Sequence, residues 1–341
     1  MAFKSSTVVS GKVAATLADF PEFIDPSAIG MTTQAEVDSS RFYADSGKVV
    51  ERAREVVAVG EIHCLIESLT DTDVNYCDYD GVRSDYAVTD TYGRNAVWSD
   101  TYGVWHLQES SGSTATDSSA NNNGTYSGSL PDNRTGKIGN SQHLDGTGDW
   151  IFTNYLGRIT ERTWSGWMKT NTNSDVFLLG GKNAGATRRI DIRLGYGLVS
   201  AGAGKIRLEQ TTNSGQVTRG LDTNIGINDN AWHKIDVVFS ATNILMYKDG
   251  AALSLDGSGG TVDTAADFSV DPIIGAFNNN GTPILPYTGE MDEWQVRGVL
   301  TANWITTEYN NQNANGSFWE ATDAGGGAAA QAARRGAVMM M

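Results

Sequence analysis

Apolar and polar positions alternate in short runs along most of this chain. Between about Trp98 and Glu320 the runs include GVWHLQE, QHLDG, WIFTNY, TWSGWMKT, DVFLLGG, RRIDIRLGYG, KIRLEQTT, WHKIDVVFS, ILMYKDG, PIIGAF and YTGEMDEWQV. A period of two predicts strands with one face against a core. Gly, Asn, Ser and Asp separate the runs at short intervals, as tight turns require. So many strands in one stretch predict a single large antiparallel sandwich. Residues 1–97 are also strand-rich and predict a smaller β domain in front of it. One pattern there, KVVERAREVVAVG from Lys48 to Gly60, fits a helix, although its charges and valines also alternate as in a strand. A second helical pattern is TANWITTEYNNQ, with Thr301 placed to cap its N-terminus. Trp304, Ile305, Glu308 and Tyr309 recur at helical spacing, which predicts an aromatic face packed on the sandwich. The repeated phrases TDTYGRNAVW and SDTYGVWHL mark a seam at Val97–Thr101. The expected domains are therefore 1–97, 98–320 and a Gly/Ala-rich tail, 321–341. That tail reads as disordered chain, or as an arm whose apolar Val338–Met341 end docks on a partner.

Composition narrows the function classes. The chain has 341 residues, with 25 Lys plus Arg against 40 Asp plus Glu, a net charge of −15. Such a surface repels phosphate backbones, so nucleic acid is a poor partner. No stretch approaches the roughly 18 apolar residues of a membrane span. The opening MAFKSSTVVSGKVAATLADF lacks the apolar core and cleavage site of a secretory leader. This leaves a leader removed from the chain, or a protein made and assembled in a cytoplasm, as virion proteins are. Cys64 and Cys77 lie in strand-like runs joined by LTDTD, and a cross-strand disulfide and two buried thiols both remain open.

Several phrases together carry a resemblance. YGVWHLQESSGSTATDSSANNNGTYSG, GKIGNSQHLDGTGDWI, TWSGWMKT, AWHKIDVVFSATNILMYKDG and YTGEMDEWQVRGVLTANWITTEYNNQ occur in this order over nearly all of residues 98–315. They resemble the laminin-G-like, concanavalin A-like modules of bacteria and phages. Residues 1–97, with DFPEFID and the run into NAVW, more weakly resemble an uncharacterised domain often fused in front of such modules. The resemblance implies an all-β protein: a concanavalin A-like jelly-roll sandwich preceded by a smaller β-sandwich domain. It also implies glycan or protein binding without catalysis, often with Ca²⁺.

The same jelly roll hosts retaining glucanases, whose catalytic strand reads E-x-D-x-E or E-x-D-x-x-E. Retaining chemistry needs two carboxyls about 5–5.5 Å apart. Here Glu290 and Asp292 fill the first two places, but the third falls on Trp294 or Gln295, which cannot transfer the proton. Glu293 has the right chemistry, yet alternation along a strand should point it away. The expectation is therefore a module that is not an enzyme. Ca²⁺ takes about six to eight oxygens; Asp145, Asp149 and Asp292 stand where related modules place acidic residues, and each equally suits a turn cap. His63, His106, His143 and His233 show no local metal spacing, and His106 and His233 are expected to pack within the sandwich. Trp105, Trp164, Trp167 and Trp232 read as core more than as sugar platforms. For a ligand, the loop GAFNNNGTPILPY offers Phe277, Asn278, Asn279, Asn280 and Tyr287, and NNNGTY offers a second surface, unless both are plain turns. The expected setting is a phage virion surface, or otherwise the extracellular space. The expected partners are a glycan or cell-surface receptor and other virion or surface proteins, with a homo-oligomer or multicopy display.

Overall fold

The computed structural model describes residues 2–153, 158–159, 161–182, 189–194, 206–212, 215–219, 226–240, 244–254, 266–267 and 272–323. The arm expected to dock through Val338–Met341 lies outside the described residues. The protein is all β, of jelly-roll sandwich type. Its chain divides into two units, Met1–Val97 with Asn310–Met341, and Trp98–Tyr309.

In the Trp98–Tyr309 unit two sheets enclose one core, antiparallel except where Val176–Lys182 runs parallel to Phe277–Asn279. The first sheet runs Asn133–Thr135, Asn140–Asp145, Thr288–Arg297, Arg162–Lys169, Trp232–Phe239, Ile244–Lys248 and Ala251–Ala252, with Thr101–Trp105 also paired to Thr288–Arg297. The second sheet contains Val176–Lys182, flanked on one side by Arg189–Leu194 and on the other by Ile273–Ile274 and Ile151–Phe152. The alternation WHKIDVVF explains the layering. Ile235, Val237 and Phe239 enter the core beside Trp164, Met168, Met246, Met291 and Trp294, against Leu178, Leu179, Ile192 and Ile274 of the other sheet. Full burial of each such side chain contributes about 1.5–3 kcal/mol.

The intervening residues Lys234, Asp236 and Val238 face outward, where the helix Ala302–Asn313 covers part of the first sheet. Thr301 Oγ1 accepts from Trp304 N at 3.2 Å, capping that helix. Ile305 packs with Val238 and Tyr247, and the Tyr309 ring stacks on Trp167 with centroids 5.7 Å apart.

The other unit has two sheets of its own. One is ordered Trp319–Asp323, Ala2–Val8, Val74–Tyr79, Arg41–Tyr43 and Glu51–Arg52; the other is Leu17–Ile24, Glu61–Leu69 and Arg54–Ala58. The Lys48–Gly60 pattern is thus strand, not helix. Arg54 decides it: its guanidinium is buried and donates to the Ser40 and Asp38 carbonyls, each at 2.8 Å, and to Asp85 at 2.6 Å. A short helix, Gln34–Asp38, is held by a capping box between Thr33 and Glu36.

The jelly roll expected over 98–320 ends earlier, at Tyr309. Residues after it return to the first unit for two reasons. Trp319–Asp323 pairs antiparallel with Ala2–Val8. The Asn311 side chain accepts from Phe23 N at 2.8 Å and donates to Phe23 O at 2.9 Å, and Asn315 also donates to Phe23 O. These amides complete hydrogen bonds that the Leu17–Ile24 backbone would otherwise lack. Cys64 and Cys77 are buried free thiols on strands of different sheets, and burial pushes the Cys64 thiol up to about 12.

Candidate functional site

The Thr288–Arg297 strand sends its three carboxylates into three different environments. Glu290 lies on the outer face of the first sheet, opposite His143 on one neighbouring strand and Lys169 on the other. Its carboxylate is 4.0 Å from His143 Nδ1 and 3.6 Å from Lys169 Nζ. All three side chains are partly exposed. One strand further, Lys169 pairs with Trp232, and its Nζ stands 5.9 Å from that indole's centroid. His143, Glu290, Lys169 and Trp232 therefore form a row across four strands.

Asp292 is on the same face but fully buried. Its Oδ2 accepts from Lys137 N at 2.8 Å and Ile138 N at 2.9 Å, which ties the Gly136–Gly139 turn to the strand. Lys137 then reaches back, its Nζ 4.9 Å from the Trp167 centroid. Burial pushes the Lys137 ammonium down, against the pull of Asp249 and Asp292.

Glu293 does not follow the simple alternation that would send it to the face opposite Glu290 and Asp292: with Met291 and Trp294 both in the core, Asp292 and Glu293 lie together between them. Glu293 sits at φ 52° where the pairing with Arg162–Lys169 shifts register between Ser165 and Trp167. The extra residue is a β-bulge. It resets the parity, so that Trp294 turns inward with Met291 and Val296. Gly166 makes this fit: a Cβ there would meet the Trp294 ring at 2.5 Å. The Glu293 carboxylate is buried and takes His106 Nδ1 at 2.9 and 3.0 Å, and the His106 ring lies 5.8 Å from that of Trp98. Gln295, the other position considered for a catalytic acid, donates to Glu308 at 2.6 Å.

The expected metal carboxylates do not form one donor set among the described residues. Asp145 pairs with Thr288, so Asp292 lies four positions along the strand, about 13 Å away at strand rise. Each carboxylate serves the backbone instead. Asp145 accepts from Thr147 N at 2.7 Å; Asp149, buried, accepts from Ser129 N at 2.7 Å and Asp145 N at 3.1 Å.

In the expected ligand loop both aromatic rings are buried. Phe277 is buried against Phe177, centroids 4.7 Å apart, and Tyr287 is buried with its hydroxyl donating to Lys169 O at 3.0 Å. Neither ring offers a face to a sugar: Tyr287 belongs to the core between the sheets, and Phe277 is covered by Phe177. Asn278 accepts from Gly281 N at 2.7 Å and shapes the hairpin turn, Asn279 is half-buried, and Asn280 is exposed. In NNNGTY, Asn123 accepts from Asp117 N at 2.9 Å and the buried Tyr126 hydroxyl donates to Glu109 at 2.6 Å. Of the four tryptophans weighed, Trp105, Trp164 and Trp167 are buried and Trp232 reaches solvent. His233 is held by Asp249 at 2.8 Å and Asp229 at 3.1 Å; burial works against the imidazolium, but these carboxylates prevail and hold its pKa above the ordinary range.

Sequence reasoning singled out Glu290 but missed His143 and Lys169 as its flanks. The signal was strand register, which a period of two does not supply. The row offers an imidazole, a carboxylate, an ammonium and an indole on one partly open sheet face. These groups can donate to and accept from hydroxyls while a flat apolar surface packs on the indole.

No family model matches the chain, and no curated protein matches it. Among solved structures it is similar to domain 4 of AbnA, a GH43 extracellular arabinanase from Geobacillus stearothermophilus, in complex with arabinotriose. That likeness has 20% identity and a TM-score of 0.46, covering 62% of this chain and 98% of that one. It is similar to the Ruminococcus gnavus IT-sialidase CBM40 bound to alpha2,3 sialyllactose, at 13% identity and TM-score 0.37, over 49% of this chain and 94% of that one. It is also similar to the Trypanosoma rangeli sialidase in complex with sialic acid, at 12% identity and TM-score 0.46, over 74% of this chain and 42% of that one. Identities this low, with TM-scores of 0.46 or less, make these loose likenesses.

Proposed function

We propose that Trp98–Tyr309 is a laminin-G-like lectin module that binds glycan without cleaving it. One observation carries the reading: the row Trp232, Lys169, Glu290 and His143 is the partly open polar and aromatic surface on the strand that a glucanase would use for catalysis. Support for a non-catalytic role comes from the commitments of the other two acids, Asp292 to backbone N–H groups and Glu293 to His106. A shallow site of this kind binds weakly, and display in many copies multiplies it. The setting that suits such display is a virion surface, with other virion proteins as neighbours.

A glycan array, followed by titration of the strongest hit, tests the reading. Trp232→Ala and Glu290→Gln are each expected to weaken binding by about tenfold or more, with no sugar released by any form. Release of reducing sugar that Glu290→Gln abolishes would replace this reading with a hydrolase. Absence of the chain from purified particles would remove the virion setting and leave the glycan site standing.

A further inference from the structure

Beneath the helix Ala302–Asn313 lies a second cluster of charge, outside the row described above. Lys234, Asp236 and Glu308 are each 3% exposed or less. The Lys234 ammonium touches Asp236 Oδ1 and is 2.8 Å from Glu308 Oε2. Ser165 Oγ donates to Asp236 Oδ1 at 2.6 Å, and Gln295 Nε2 donates to Glu308 Oε1 at 2.6 Å. Asp236 Oδ2 is buried with no hydrogen-bond partner. Val238, Tyr247 and Ile305 wall the cluster with apolar surface. Charges held out of water in this way are costly unless fully compensated, and this set leaves one carboxylate oxygen unserved.

We propose that Lys234 and Asp236 join through a side-chain amide, with Glu308 as the proton acceptor. The two residues are alternate positions of the Trp232–Phe239 strand, so both side chains leave the same face, about 7 Å apart at their origins. A lysine side chain spans that gap, as the existing contact demonstrates. Burial pushes the Asp236 carboxyl up, toward its acid form, while at Glu308 burial is outweighed by Lys234 and Arg297, which favour its carboxylate. At Lys234 burial is outweighed by Asp236 and Glu308, which hold its ammonium up, so the proton transfer is the uphill part of the step. Lys234 passes one proton to Glu308 and its freed amine attacks Asp236 Cγ. The Nζ–Cγ bond forms, the Cγ–OH bond breaks, and one water leaves. An ammonium, a carboxylic acid and a carboxylate become an amide, a water and a carboxylic acid, with atoms and charge conserved. Three ionisable groups held near one another supply the effective concentration that a free amine and acid lack in water. The product removes the buried ammonium and leaves Glu308 neutral.

Intact-mass measurement of the full denatured chain tests this. The wild type is expected one water lighter than its sequence, with no cleavage by trypsin after Lys234 and fragment ions joining Lys234 to Asp236. Lys234→Arg and Glu308→Gln, checked for folding by circular dichroism, should show full mass. Asp236→Asn should lose ammonia in place of water and converge on the wild-type mass. A wild-type chain at full sequence mass overturns the proposal. So does a water loss that persists in Lys234→Arg, which would be a backbone imide, or fragment ions that place the bond at Glu308. Tryptic mapping of the wild type decides the matter even where a variant fails to fold.

Discussion

Asp117 organises a loop from a single buried side chain. Its two carboxylate oxygens accept from the backbone N–H groups of Val104, Ser119, Asn121 and Asn122, and from the Ser119 hydroxyl. Asp117→Ala strands those donors, and a loss of about 3 kcal/mol is expected, read as a lower melting temperature by calorimetry. Glu22 shows the opposite economy. It is buried between Asn75 and Arg52, and burial pushes its carboxyl up to about 7 from an ordinary 4.5. Between those two values the folded chain holds a proton that the unfolded chain has released. Stability from this group is therefore full below about pH 4.5 and falls as pH rises through about 7. Glu22→Gln should match the wild type near pH 4 and exceed it by about 3 kcal/mol near pH 8. Urea denaturation at both pH values checks the sign; equal stability at the higher pH would refute it.

At the scale of elements, two devices fix the face that carries the candidate site. The bulge at Glu293 lets one strand present Glu290 and Asp292 outward and then turn Trp294 into the core. Gly166 across the ladder leaves room for that indole. Gly166→Ala forces the ring aside, and a cost of about 1–3 kcal/mol is expected from overpacking, with near-ultraviolet circular dichroism reporting the disturbed tryptophan. The helix Ala302–Asn313 is the second device. It seals the Lys234 cluster and leaves the Glu290 row on the partly open part of the face. Ile305 is its fully buried anchor. Ile305→Ala should cost about 2–5 kcal/mol, measured by denaturant titration. The helix and its Thr301 cap are readable in TANWITTEYNNQ; the bulge is not, because it depends on a glycine more than a hundred residues earlier in the chain.

At the scale of the whole molecule, the last described strand belongs with the first. Trp319–Asp323 borders Ala2–Val8, and its register runs from Lys4 opposite Asp323 to Val8 opposite Trp319. Removing Trp319–Asp323 is expected to speed hydrogen exchange at Ala2–Val8 and to leave Trp232–Phe239 in the other unit unchanged; protection retained at Ala2–Val8 would contradict the pairing. The sequence by itself determined the β class, since a period of two with Gly and Asn turns admits few other structures. It also determined which strand to question, since three acids in four residues stand out in any apolar alternation. Tertiary structure decided the rest. Alternation says that a side chain leaves one face of a strand, but only pairing register says what lies beside it. Register placed His143 and Lys169 beside Glu290 and separated Asp145 from Asp292, and packing buried Tyr287 between the sheets and Phe277 against Phe177. Register also returned residues 310–323 to the N-terminal unit. Each outcome rests on contacts between residues far apart in the chain, where local propensity has no reach.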